Sequence, residues 1–198
     1  MKGTSLAGTS LTRERIEDDF YATDPKSLEL LLDKLEEDGI KLHNKIWECA
    51  CGQGHLSKIL ENKGYNVLST DLVDRGYGKG GVDFIEQPYP YKMNLERDVL
   101  TNPPYKYAQE FVESSMQHIA NGYYCILFLK IQFLEGKARK EMFKKYPPKY
   151  IYVFSERQNP MRNGQPLDEN GKKWSSTMCF AWFIWEKGFG GETIVRWI

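Results

Sequence analysis

One stretch of the chain decides its architecture: residues 45–71, with the sequence KIWECACGQGHLSKILENKGYNVLSTD. Its first part, residues 45–50, is a short and mostly apolar run before a glycine-rich turn, which predicts a buried strand. Residues 55–63 place their apolar side chains on one helical face, and Gly64 predicts the end of that helix. Residues 66–70 predict a second strand. A strand, a helix and a strand in this order predict a parallel sheet.

The same alternation of strands and helices extends in both directions from that stretch. Apolar residues at helical spacing predict a helix before it, at residues 27–37. After it, the chain predicts strands at 98–101, 123–129 and 150–154, a final long strand at 178–185, and helices at 107–120 and 136–145. This order indicates an α/β fold with a mostly parallel sheet and helices on both faces. Ligands bind to such sheets beyond the carboxyl ends of the strands.

Length and composition favour a single folded domain. The 198 residues are 41% hydrophobic and 14% aromatic, which is typical of a globular protein. Residues 1–18 are polar and predict a mobile tail, so the folded domain is expected at 19–198. No apolar run approaches the roughly 20 residues that cross a bilayer, which favours a cytoplasmic protein. The four cysteines and three histidines predict neither a disulfide scaffold nor a metal site.

Charge is distributed unevenly along the chain, although its net charge is zero. Residues 130–173 contain eleven basic and five acidic side chains. This excess predicts a phosphate-binding surface, or else a solvated helix face followed by a charged loop. Within the segment, residues 155–177 are rich in Asn, Gly, Pro and charge and are too many for an ordinary connection. We interpret them as a substrate-facing loop.

The turn after the first strand of the stretch is suited to binding a ligand. Gly52 and Gly54 let the backbone turn tightly and approach a bound molecule with no side chain in the way. Glu48 stands four residues before the first glycine, at the end of the strand. Ser57 occupies the position of the third glycine of the dinucleotide fingerprint, which argues against a bound pyrophosphate.

Two acidic positions further along the chain are candidates for contacts to a nucleoside. Asp71 follows the second strand, where a carboxylate can accept hydrogen bonds from both hydroxyl groups of a ribose. A turn cap is the alternative for Asp71. Asp83 can accept from an adenine amino group while Phe84 packs on the ring. The alternative for this pair is a strand-end acid beside a core phenylalanine.

The most specific motif is Thr101-Asn102-Pro103-Pro104-Tyr105, which follows an apolar strand and precedes a helix. The two prolines remove two backbone donors, so that nearby carbonyl groups stay available as acceptors. The side-chain carbonyl of Asn102 and the backbone carbonyl of Pro103 can accept from one NH₂ group and favour positive charge that develops on its nitrogen. Tyr105 offers a flat face to a planar substrate. A simple turn with a packed tyrosine is the alternative.

These motifs resemble those of the class I S-adenosylmethionine (SAM)-dependent methyltransferases. Residues 48–54, which include Cys49, are similar to their glycine-rich motif I, Asp71 to their ribose-binding acid, and Asp83 with Phe84 to their adenine-contacting pair. The resemblance implies that SAM is the cofactor. It also implies a three-layer Rossmann-like sheet, mostly parallel with an antiparallel last strand.

Two further segments extend the resemblance toward a particular reaction. Residues 19–25 resemble the segment that lines the SAM pocket in amino-methyltransferases, which implies that Tyr21 and Thr23 contact the cofactor. The N-P-P-Y motif matches the signature of methyltransferases that act on amino groups. The order of the motifs is similar to that of N6-adenine DNA methyltransferases of the Dam-like or phage type, which implies a protein of a bacterial or phage-infected cell. The resemblance therefore implies methyl transfer to N6 of adenine in DNA, catalysed by residues 102–105.

An adenine in duplex DNA must be extruded from the stack before its N6 can react. The chain has no room for the separate target-recognition domain of large DNA methyltransferases, so the basic helix and the substrate-facing loop are expected to contact DNA. The candidates are Lys130, Arg157, Arg162 and Trp174, each of which is equally compatible with an ordinary surface position. The oligomeric state is not predicted.

Three alternatives remain open from the sequence. A glutamine side-chain amide in a protein is also planar and conjugated, and related enzymes use the same N-P-P-Y motif for it. Adenine in RNA is a second alternative substrate. A protein that has the fold but no turnover is the third, and the intact residues 102–105 argue against it.

Overall fold

The computed structural model describes residues 21–86, 94–158, 161–162, 171 and 178–198. In chain order the described elements are β1 (Tyr21–Ala22), α1 (Pro25–Glu37), β2 (Lys45–Glu48), α2 (His55–Asn62), β3 (Asn66–Ser69), β4 (Asp98–Thr101), α3 (Ala108–His118), β5 (Tyr124–Lys130), α4 (Lys137–Lys145), β6 (Tyr150–Val153), β7 (Met161–Arg162), β8 (Phe180–Glu186) and β9 (Ile194–Trp197). Short 3-10 helices follow β4 and β5, at Tyr105–Tyr107 and Ile131–Leu134. The predicted tail at residues 1–18 lies outside the described residues.

Seven strands form one sheet in the order β3-β2-β4-β5-β8-β6-β9. All neighbours are parallel except that β8 runs antiparallel to both β5 and β6. The predicted mostly parallel sheet with an antiparallel strand near the end of the chain is therefore confirmed. The antiparallel strand is not the last one, because the short edge strand β9 follows it and pairs with β6.

Helices cover both faces of the sheet, so the predicted three layers are present. The side chains of β5 alternate between the faces: Ile126 and Phe128 pack with leucines of α1 and α2, whereas Cys125 and Leu127 pack with residues of α3 and α4. The central strand is therefore buried on both sides, which explains its nearly continuous apolar sequence.

The amino ends of the central strands are joined by Asp98, which is completely buried. Its carboxylate accepts hydrogen bonds from the backbone N–H of His43 at 2.7 Å and of Tyr124 at 2.8 Å, and lies 2.9 Å from Nδ1 of His43. One side chain thus links β4 to the start of β5 and to the loop before β2. This cluster is at the end of the sheet opposite to the ends that lead into the motifs.

The strands and helices predicted between residues 27 and 185 are all present, and their ends differ from the prediction by at most two residues. The two-residue pair β1 and β7 and the edge strand β9 were not predicted. In the described part of the chain, we find no helix with the length and apolar character needed to span a membrane.

Candidate active site

A cavity of about 460 Å³ lies at the carboxyl ends of β2, β3 and β4. Strand β2 is between the other two and parallel to both, with Glu48 opposite Ser69 and Trp47 opposite Val99. The segments that leave these strands therefore start at the same edge of the sheet. They are the glycine turn, the loop that begins at Asp71 and the turn that begins at Asn102.

Most of the predicted site residues share this cavity. Those in its lining are Thr23, Glu48, Cys49, Gly52, Asp71, Asp83, Phe84, Asn102, Pro103, Pro104 and Tyr105. The glycine turn and the N-P-P-Y turn thus line a single cavity, which is the arrangement that a reaction between a cofactor and a substrate requires. The side chain of Thr101 also connects the two turns, because its Oγ1 donates to the Ala50 carbonyl at 3.5 Å.

The two glycines of the turn have different physical roles. Gly52 has φ 55°, lines the cavity, and donates its N–H to Oδ2 of Asp71 at 2.8 Å. Gly54 has φ 78° and is outside the lining residues. A Cβ at Gly54 would lie 2.4 Å from the ring of Tyr77, so glycine is needed there for the contact with that ring. Both glycines are predicted to let a ligand approach the backbone, and of the two only Gly52 is among the lining residues.

Asp71 is both a turn cap and a lining residue of the cavity. Its two oxygens accept backbone hydrogen bonds, Oδ2 from Gly52 and Oδ1 from Val73 at 2.9 Å, as a turn cap does. The same carboxylate lines the cavity. Because each carboxylate oxygen can accept a second hydrogen bond, the cap leaves acceptor capacity for a ligand hydroxyl group.

Glu48 is buried at the end of β2 with 2% of its surface exposed, although it lines the cavity. Burial raises the pKa of Glu48 to about 8, because the charged carboxylate is poorly solvated there. The hydroxyl of Ser57 donates to its Oε2 and is 2.7 Å from the hydroxyl of Ser69. Sequence reasoning treated Ser57 only as a missing glycine. The signal in the sequence for this contact is that Ser57 follows Glu48 by nine residues and lies in the first turn of α2.

Asp83 and Phe84 form one wall of the cavity. Oδ1 of Asp83 accepts the backbone N–H groups of Ile85 at 2.9 Å and Glu86 at 3.1 Å, which orders the turn that carries it. Phe84 is 3% exposed, and its ring centroid is 5.0 Å from that of Trp47. The phenylalanine is therefore both a core residue and a lining residue.

The N-P-P-Y turn begins a 3-10 helix, since the carbonyl of Pro104 accepts the N–H of Tyr107 at 2.9 Å. The ring of Tyr105 lies between two neighbours. Nζ of Lys130 is 4.7 Å from the ring centroid, and the centroid of Phe180 is 6.1 Å away. Lys130, predicted as a substrate contact, thus lies next to the N-P-P-Y turn.

The other three predicted substrate residues lie in the segment at residues 155–177. Arg157 is exposed and is not a lining residue. Arg162 is in β7, whose backbone pairs antiparallel with β1, with Arg162 opposite Tyr21. Residues 161–162 thus pair with the two residues just before Thr23. Trp174 lies outside the described residues.

Sequence reasoning missed several lining residues that flank the motifs. These are Leu72, Val73, Arg75, Val82, His55, Lys106, Tyr107 and Glu110. Leu72 and Tyr107 are large apolar side chains that remain 61% and 42% exposed at this cavity. Leu72 and Lys106 directly follow a motif acid or N-P-P-Y, and the others lie within five residues of a motif residue, which is the only signal for them in the sequence. No group of side chains suited to holding a metal ion is found among the residues that the structure describes.

Solved structures of methyltransferases have the same fold as this chain. A Listeria monocytogenes protein described as a class I SAM-dependent methyltransferase matches with a TM-score of 0.58 and 15% identity, over 89% of this chain and 65% of that one. A Pyrococcus horikoshii protein described as an RNA methyltransferase matches with 0.60 and 12%, over 91% and 93%. A Vibrio vulnificus protein described as the modification subunit of a type I restriction enzyme matches with 0.55 and 13%, over 90% and 47%.

This chain therefore spans about two thirds of the Listeria protein and about half of the Vibrio subunit. No sequence model of a protein family matches it, and a comparison with curated proteins finds no match. The fold is that of the class I methyltransferases, whose cofactor is SAM.

Proposed function

We propose that this protein transfers the methyl group of SAM to the exocyclic N6 of adenine in DNA. The observation that carries the proposal is the single cavity lined by both the glycine turn and the N-P-P-Y turn. A volume of about 460 Å³ is within the range of roughly 300–1,000 Å³ that is usual for small-molecule sites.

The chemistry of the lining fits the parts of SAM. Asp71 would accept hydrogen bonds from the ribose hydroxyl groups and Asp83 from the adenine amino group, beside the apolar surfaces of Leu72 and Phe84. Thr23 and the Gly52 backbone would lie along the methionine part. When bound, SAM supplies a methyl group that its sulfonium already activates for transfer.

The N-P-P-Y turn would hold the group to be methylated. The Asn102 side-chain carbonyl and the Pro103 backbone carbonyl accept hydrogen bonds from the two N–H groups of one planar amino group. Tyr105 packs on the aromatic ring to which that amino group is attached. An aromatic amine is a weak nucleophile, and acceptors at its hydrogens favour the positive charge that develops on nitrogen as it attacks. Orientation by these residues, rather than a strong base, is the main contribution of the chain to the reaction.

Cations near the catalytic turn support a nucleic-acid substrate over a protein one. Lys106 lines the cavity and Lys130 lies on the Tyr105 ring. Lys137 and Lys140 are exposed on α4, which follows β5 closely along the chain. Such side chains suit a phosphate backbone that accompanies the target base. The structural match to the modification subunit of a restriction enzyme supports DNA as that nucleic acid.

Product identification tests the substrate. The protein is incubated with tritiated SAM and, separately, with duplex DNA, single-stranded DNA, RNA and protein, and the labelled product is digested and identified by mass spectrometry. We expect N6-methyladenine from DNA. Labelled methylglutamine, or methyladenosine from RNA alone, would replace the proposed substrate and leave methyl transfer standing. No label in any substrate would contradict the function itself.

A further inference from the structure

The last strand, β9, is the edge of the seven-stranded sheet and is unusually apolar at its surface. No strand in the part of the chain that the structure describes pairs with its outer side. Ile194, Val195 and Trp197 are 46%, 45% and 64% exposed. Protein sheets usually protect such edges with proline, lysine or a bulge. Within β9 the only charged residue is Arg196.

On the outer side of β9, backbone groups have no hydrogen-bond partner among the residues that the structure describes. The N–H groups of Ile194 and Ile198 point inward and donate to the carbonyls of Lys149 and Val153, at 3.1 and 2.9 Å. Since successive residues of a strand point their backbone groups in opposite directions, those of Val195 and Trp197 point outward. A further strand can therefore pair with this edge without disturbing its bonds to β6.

We propose that this edge binds a second copy of the same chain, antiparallel about a two-fold axis at Ile194, so that residues 195–197 of each copy lie opposite residues 191–193 of the other, which directly precede β9. The proposal is independent of the methyltransferase function. In this register Glu192 is opposite Arg196 of the second copy, so each copy contributes one opposite-charge pair. Arg196 also binds Asp38 at 2.5 Å, but a guanidinium has five donors and can serve both carboxylates.

The same register places Trp197 opposite Gly191 of the second copy. A glycine edge without side chains is the surface on which a cross-strand aromatic ring packs well. At Gly191 an added Cβ would lie 2.8 Å from the Phe189 ring, so the Trp197 ring of the second copy would lie beside Phe189. The register centred on Val195 instead sets Glu192 opposite Ile198 and Arg196 opposite Ile194, which pairs neither charge. Charge complementarity therefore selects Ile194 as the centre.

The dimer has a consequence for the cavities. Strand β9 runs parallel to β2, β3 and β4, because β8 alone is reversed in the sheet. Antiparallel pairing of two β9 strands points the carboxyl ends of the two sheets in opposite directions. The two cavities then open at opposite ends of the dimer, so each would act on its own substrate and activity per chain would not depend on dimerisation.

Sedimentation velocity at increasing protein concentration tests the association. Wild-type protein should sediment as a dimer, and Val195→Pro, which removes an outward donor, should be a monomer with an unchanged circular dichroism spectrum. Glu192→Lys should raise the dimer dissociation constant by at least about tenfold, because it faces Arg196. Glu29→Lys, the same charge change on the exposed surface of α1, should have no effect. A monomeric wild type, or dimers that survive both edge substitutions, would overturn the proposal.

Disulfide trapping tests the register. In a Cys179→Ser background, which removes the exposed native thiol, Ile194→Cys should form an intermolecular disulfide under mild oxidation, since residues facing each other across the axis have Cα atoms about 4.5 Å apart. Val195→Cys is the matched control, because its counterpart lies diagonally about 7–8 Å away. Trapping of Val195→Cys without Ile194→Cys would reject this pairing.

Discussion

At Glu48 an ionisable group is buried beside a ligand cavity. Burial raises the pKa of Glu48 from the ordinary value of 4.5 to about 8. Between these two pH values the folded protein without ligand therefore keeps a proton that the unfolded chain has released. A group with a raised folded-state pKa contributes stability that is fully present below the unfolded pKa of 4.5 and is lost as the pH rises through 8. The contribution of Glu48 to the free energy of unfolding is therefore lost at alkaline pH.

Replacing Glu48 by glutamine removes that titration and keeps an oxygen that can accept from Ser57. We expect Glu48→Gln to be similar to wild type in stability at pH 5 and more stable at pH 8.5, by a few kcal/mol and at most about 5 kcal/mol. Urea unfolding of both proteins across this pH range measures the difference. A stability difference that does not change with pH would show that the carboxyl titrates normally.

Gly54 and Gly64 allow the cost of a steric clash to be separated from that of backbone strain. Both have positive φ, 78° and 89°, but an added Cβ meets the Tyr77 ring at 2.4 Å in the first case and nothing within 4 Å in the second. We expect Gly64→Ala to lower the free energy of unfolding by about 1 kcal/mol and Gly54→Ala by about 2–4 kcal/mol. Equal losses in denaturant unfolding would mean that Tyr77 does not restrict this position.

Asp71 and Asp74 provide a matched pair for the cofactor contact. Each caps a turn in the same loop, Asp71 for Val73 and Asp74 for Gly76 at 2.9 Å, but only Asp71 lines the cavity. We expect Asp71→Ala to weaken SAM binding by at least about tenfold, because two ribose hydroxyl groups lose their acceptor. Asp74→Ala should leave the affinity unchanged. Isothermal titration calorimetry measures both, and equal effects would remove the ribose role from Asp71.

At the scale of elements, the sequence could predict what depends on side-chain periodicity. The apolar run of β5 is seven residues long, and the leucines of α1 recur at helical spacing along thirteen residues. Both elements are therefore long enough for an unambiguous pattern. The pair β1 and β7 has two residues per strand, which is too short for any period. Strand β9 exposes apolar residues on both faces and therefore lacks the alternation of a half-buried strand.

Asp98 connects elements that no local pattern relates. It is the acceptor for backbone groups of His43 and Tyr124, so Asp98→Ala would leave two partly buried donors without this partner. We expect a loss of about 2–4 kcal/mol in urea unfolding, with unchanged SAM affinity of the folded protein, since the cavity is at the other end of the sheet. Asp33→Ala is the control, because its ion pair with Lys63 is exposed and contributes at most about 1 kcal/mol. A loss no larger than that of the control would contradict the linking role.

At the scale of the whole molecule, the convergence of the two motifs is a consequence of topology. The order of elements predicted a parallel sheet, and the turns that leave neighbouring parallel strands all start at one edge of the sheet. Contacts that depend on three-dimensional packing could not be predicted in this way. The pairing of Ser57 with Glu48, the ring of Tyr77 on Gly54 and the position of Lys130 on Tyr105 are of this kind. Arg157 is predicted as a substrate contact from its place in the loop at residues 155–177, and it is not in the lining of the cavity.

The central claim is that the N-P-P-Y turn orients an amino group in the cavity that holds the cofactor. Single-turnover methyl transfer and SAM affinity, measured side by side for wild type and Asn102→Ala, test it most directly. We expect the substitution to keep the SAM dissociation constant within about twofold and to lower the transfer rate at least about 100-fold, as removal of a preorganised acceptor does. An unchanged rate of transfer, or a wild-type protein that does not bind SAM, would contradict the account.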